Sequence, residues 1–131
     1  MHLESPKNTI GKSGKEVFEF LTEPKNFETL MPDNVDKFEV VNQDTFLFAL
    51  KGMPEIALRK KAELPHSKVV LGAASDKLPF TLTAHISEIA EEKCEVYLSF
   101  EGEFNAMMAM MIKTPITNFI GTLSENMSRI G

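Results

Sequence analysis

The sequence predicts an α+β domain in which a curved antiparallel sheet wraps a long C-terminal helix. Apolar residues recur at helical spacing near the start, at a spacing of two from Phe38 to Phe100, and at helical spacing again from Asn105 onward. A chain of 131 residues with 43% hydrophobic and 25% charged residues has the size and balance of one globular unit. Turn signals are spread evenly and no repeat or linker divides the chain, so residues 1–131 are read as one domain.

The elements follow in order. A short extended segment lies around Leu3 to Ile10. In Ser13-Gly14-Lys15-Glu16 a serine stands three residues before a glutamate, a capping box that opens a helix over Lys15 to Leu21, with Val17, Phe18, Phe20 and Leu21 as its apolar stripe. Pro24 ends or re-aims it, and Phe27, Leu30 and Met31 indicate a second short helix over Lys25 to Met31 before the turn Pro32-Asp33-Asn34.

The period then changes to two. Phe38 and Val40, Phe46 to Leu50, Ile56 to Leu58, Val69 to Leu71, Phe80 to Ile86 and Cys94 to Phe100 predict five or six antiparallel strands with one apolar face. Gly52-Met53-Pro54, Leu64-Pro65-His66-Ser67 and Glu91-Glu92-Lys93 supply the connections. From about Ala106 to Ser128 the stripe Met108, Met111 or Ile112, Ile116, Phe119, Leu123, Met127, continued by Ile130, predicts a helix of roughly 35 Å, with Thr114-Pro115 as its kink.

Composition narrows the function classes. A net charge of −5 opposes binding to phosphate backbones, and the one basic cluster, Arg59-Lys60-Lys61, is short, so no nucleic-acid partner is expected. The lone Cys94 rules out an intramolecular disulfide and suits a reducing compartment. The first residues lack the apolar run of a secretory signal, and no stretch approaches the ~20 apolar residues that span a bilayer. A cytoplasmic protein without membrane insertion is the expectation.

Two short helices, a strand meander and a long closing helix make the helix-grip order. Lys15-Glu16-Val17-Phe18-Glu19-Phe20-Leu21, then Glu23-Pro24-Lys25-Asn26-Phe27, and the terminal helix after Phe100-Glu101-Gly102-Glu103-Phe104 resemble the START-like, polyketide-cyclase-like (SRPBCC) superfamily. The resemblance covers nearly the whole chain. It implies a cavity between the concave sheet and the long helix, used in that superfamily by lipid carriers, hormone receptors, cyclases and hydrolases, and so does not select a function. A cystatin-like or nuclear-transport-factor-like cone also places helices before a curved sheet, but a long final helix is not expected there.

The concave wall is the apolar phase of the strands, with Phe46, Phe48, Phe80, Leu82, Leu98 and Phe100 as ligand-binding residues and Phe119 facing them from the helix. An ordinary filled core shows the same alternation, so both readings stand, and a usable pocket needs ~300 Å³. Met107, Met108, Met110 and Met111 are four of the eight methionines; Met108 and Met111 are read as an adaptable wall, although methionine also fills core gaps and four in five positions cannot all face one way. Lys60 falls in the inward phase with Ile56 and Leu58. It either holds the acidic head of a ligand or escapes to water at a bulge or a frayed strand end.

His85 is in phase with Thr81, Thr83 and Ser87 and is predicted to face outward; Cys94 is read as a core residue, and the acidic run from Glu88 to Glu95 as a solvated face. No two histidines have metal-ligand spacing and no glycine loop cradles phosphate, so neither metal nor cofactor is expected. No catalytic signature stands out. The function that fits best is a binding module for a hydrophobic small molecule, lipid or aromatic. A cyclase- or hydrolase-like enzyme using Lys60 or His85 in the same cavity is one alternative. An interaction protein, possibly a homodimer, is the other.

Overall fold

The computed structural model describes residues 1–52, 55–74 and 80–129. Strands β1 (His2–Glu4) and β2 (Asn8–Ile10) are followed by helix α1 (Gly14–Leu21) and a 3₁₀ helix (Pro24–Leu30). The meander is β3 (Val35–Val40), β4 (Thr45–Leu50), β5 (Ile56–Leu64), β6 (Lys68–Ala73), β7 (Phe80–Ala90) and β8 (Lys93–Gly102), and helix α2 (Ala106–Met127) closes the chain. The sheet is antiparallel and curved, with order β1-β8-β7-β6-β5-β4-β3, and β2 also pairs with β8.

Local chemistry accounts for the element ends. Ser13 Oγ accepts the Glu16 amide at 3.1 Å, the first half of the predicted capping box. The Gly14 amide donates to Glu88 Oε1 at 3.2 Å, so one member of the exposed acidic run also caps α1 from across the fold. The second helix is 3₁₀ and starts one residue before the predicted span, because Pro24 fits the first helical position. Asn105 Oδ1 accepts the Met108 amide at 2.8 Å and opens α2, which continues unbroken past Pro115. Met53, Pro54 and Ile130, which carried parts of the sequence reading, lie outside the described residues.

The strand phase is as predicted. Phe46, Phe48, Leu82, Leu98 and Phe100 are buried on the inner face, with Phe80 half-buried beside them. On α2, Phe119, Ile120, Leu123, Ser124 and Met127 are buried, while Lys113, Asn118 and Glu125, with Arg129 just beyond the helix, are exposed. Val17, Phe18 and Leu21 of α1 and Phe27 and Leu30 of the 3₁₀ helix join the same continuous core. Each large side chain so buried contributes roughly 1.5 to 3 kcal/mol before conformational entropy is charged against it.

Polar clips hold the rear half of α2. Asn8 Nδ2 donates to Ser124 Oγ at 2.6 Å, and Ser124 Oγ donates to the Pro6 carbonyl at 3.1 Å. Asn126 Nδ2 donates to the Leu30 carbonyl at 2.9 Å. Ser124 is fully buried, so its hydroxyl needs both partners, and the clips fix α2 against the first strands and the 3₁₀ helix together.

Candidate functional site

An apolar cavity lies where α2 crosses the sheet. Phe48 and Leu50 of β4, Ile56 and Leu58 of β5, Phe80 and Leu82 of β7, and Phe100 of β8 form its wall. Pro115, Ile116, Phe119 and Ile120 of α2 form its roof, and every lining residue is apolar. Phe119 stacks on Phe48 with centroids 5.0 Å apart and planes 9° apart, and Phe80 lies 5.1 Å from Phe100. The free volume is about 20 Å³. That is room for about one water, more than ten times below the ~300 Å³ of an ordinary ligand pocket, so between the two readings left open by the sequence the core stands nearly filled.

Five of the residues singled out from the sequence come together here: Phe48, Phe80, Leu82, Phe100 and Phe119. Phe46 and Leu98 share their face but lie in the packed core outside the lining, Phe46 stacked between Phe27 at 4.9 Å and Phe38 at 5.4 Å. Met108 is half-buried outside the lining, and Met111 is 68% exposed, because the first two turns of α2 overhang the core instead of seating on it. The expectation that both methionines wall the cavity is corrected accordingly. Leu50, Ile56, Leu58, Pro115, Ile116 and Ile120 were missed as lining, although the first three share the inward phase and Ile116 and Ile120 lie one helical turn apart.

Lys60 also stands apart from the cavity. Lys60 keeps the inward register, opposite Leu71, and the β5–β6 register shifts only after it, before Ala62; its long side chain carries the ammonium out to Asp44 Oδ1 at 3.6 Å and Glu63 Oε2 at 3.5 Å. It borders a separate open cleft with Thr22, Lys25 and Asn42. The reading of Lys60 as an anchor for a ligand head inside the cavity is therefore corrected.

His85 faces the outer side of the sheet, as its phase predicts. Its Nε2 lies 2.8 Å from Ser99 Oγ, and its ring stacks on Tyr97 with centroids 4.4 Å apart. Burial, with Lys68 nearby, holds its pKa below the usual histidine value. Cys94 is fully buried in the core, and burial pushes its thiol pKa up. Among the described residues no three metal-ligating side chains converge, and no helix is long and apolar enough to cross a membrane.

No family model and no curated protein matches the sequence. Solved structures match the fold. Norcoclaurine synthase from Thalictrum flavum superimposes with a TM-score of 0.78 at 12% identity, over 98% of this chain and 91% of that one. The same enzyme in complex with dopamine and hydroxybenzaldehyde gives 0.77 at 11% identity, over 98% and 84%. A conserved protein from Geobacillus kaustophilus gives 0.68 at 12%, over 98% and 93%. The di-domain aromatase/cyclase BexL of the BE-7585A biosynthetic pathway gives 0.63 at 13%, over 96% of this chain and 46% of its own length. The chain has the helix-grip fold, and its likeness to START-like and polyketide-cyclase-like proteins holds at the level of that fold.

Proposed function

We propose that the protein binds a hydrophobic small molecule, a lipid or an aromatic compound, between the sheet and α2. The observation that carries this reading is a cavity of purely apolar lining at the crossing of α2 and the sheet, roofed by a helix whose front half is not packed down. Its small volume means that binding opens it, by moving Pro115 and Ile116 away from the wall while Phe119 stays stacked on Phe48. The second reading, an enzyme, is favoured by the fold shared with norcoclaurine synthase and BexL. With Lys60 and His85 both outside the lining, such an enzyme would draw its acid or base from the substrate or from a residue brought in on opening. A cytoplasmic location fits the single buried cysteine.

The test is native mass spectrometry of protein purified from cells, followed by titration with fatty acids and aromatic aldehydes. Bound apolar molecules are expected. Ile116→Trp, which fills the cavity while keeping an apolar roof, should abolish uptake and leave the folded spectrum intact. Empty protein that takes up nothing across the panel, or uptake that Ile116→Trp does not change, overturns the reading.

A further inference from the structure

The sheet ends at β3, and among the described residues no strand pairs with its outer side. The Val41 amide bonds to the Thr45 carbonyl at 2.9 Å, and β3 pairs with β4 in register Phe38↔Phe48 and Glu39↔Leu47. Antiparallel ladders alternate, so the backbone groups of Lys37, Glu39 and Val41 point to β4, while those of Phe38 and Val40 point away from it. Val40 is 43% exposed, and Asp36, Lys37 and Glu39 are exposed. An open cleft of about 540 Å³ between Pro24, Lys25 and Val40 leaves that end of the strand clear on its inner side.

Unpaired edges are usually blunted by charges. Here the charges are arranged to accept one particular partner. In an antiparallel pairing with a two-fold axis at Phe38, Phe38 exchanges both backbone bonds with its copy, and Lys37 falls opposite the partner's Glu39, twice by symmetry. Lys37 and Glu39 share the outer face of the strand, where Lys37 Nζ already meets Glu55 Oε2 at 3.0 Å, so neither charge is buried by the pairing. A neutral or singly charged foreign strand leaves one of the two unmatched. We infer that β3 is an interface between two copies of this chain, which joins their sheets edge to edge in the Phe38-centred register. Six residues of edge bury less than the ~1,000 Å² of a stable interface, so the dimer belongs to the transient, concentration-dependent class.

Sedimentation equilibrium from about 10 µM to about 1 mM reads the association, since transient interfaces fall in this range. The wild type is expected to dimerise within it. Glu39→Lys places lysines opposite each other and should weaken association about tenfold. The triple exchange Lys37→Glu, Glu39→Lys and Glu55→Lys inverts both cross-strand pairs and the in-chain pair, and should restore the dissociation constant to within about threefold. Val40→Pro removes an outward amide that no in-chain bond uses, and should abolish dimerisation with an unchanged circular dichroism spectrum. A wild type that stays monomeric across the range overturns the inference. So does a dimer indifferent to Glu39→Lys and Val40→Pro, or one that the triple exchange fails to restore.

Discussion

His2 and His85 lie on the same outer face and respond to protons with opposite sign. His2 sits between Glu101 Oε1 at 2.9 Å and Glu4 Oε2 at 3.1 Å, and these hydrogen bonds, Glu4 first, raise its pKa above 6.5. A raised value means that the folded state holds the proton more tightly. Its stabilising effect is therefore fully present below pH 6.5 and is lost as pH rises through the higher folded value. Burial depresses His85, so its neutral form is favoured on folding and its contribution is lost as pH falls. His2→Gln should narrow the stability gap between the wild type and the variant as the pH of a urea titration is moved from about 5.5 to about 8, with no difference left at the upper end. A gap that widens with pH would reverse the assignment. In the core, Phe119 is 6% exposed and stacked on Phe48, beside too little free volume to relax into. Phe119→Ala should cost about 3 to 5 kcal/mol in the same measurement.

At the scale of elements, α2 is two helices in energetic terms. From Phe119 to Met127 it is packed and clipped, whereas Met107 and Met110 are 74% and 81% exposed and nothing buried precedes Phe119. The triple substitution of Met107, Met110 and Met111 by Gln should shift global stability by no more than about 0.5 kcal/mol, while Leu123→Ala should cost about 2 to 5 kcal/mol, both read by denaturant unfolding. A large loss from the methionine triple would show that the front turns have a packing partner. The periodicity of α2 reports helix and apolar stripe correctly but cannot report where the sheet beneath stops. Met108 and Met111 follow the same spacing as Phe119 and Leu123, and only the reach of the sheet separates them. Lys60 is the matching case in a strand: its phase points inward and it stands opposite Leu71, but its ammonium reaches Asp44 in the β3–β4 connection, a contact between segments that no local residue pattern marks.

At the scale of the molecule, what was legible in the sequence follows from what is periodic. Strand phases, the capping box at Ser13 and the turn at Glu91-Glu92-Lys93 are local, so the meander and its buried face could be read directly, whereas the pairing of β1 and β2 with the distant β8 could not. Contacts that join distant segments could not be, among them Glu88 capping α1 and Ser124 bridging to Asn8 and Pro6. The cavity volume is likewise a sum over four strands and a helix, and no single segment carries it. The placement of Pro115 within this frame has a kinetic consequence. It lacks an amide proton, so the Met111 carbonyl loses its helical partner where the clamped rear of α2 gives way to the overhanging front. Compliance is thus concentrated at one turn that also roofs the cavity, and the front can swing while every clip at Ser124 and Asn126 stays closed. Pro115→Ala should slow amide exchange over residues 106–114 and leave exchange over 119–127 unchanged. Under the proposed binding function, ligand entry and release are expected to follow this single missing hydrogen bond rather than the stability of the fold.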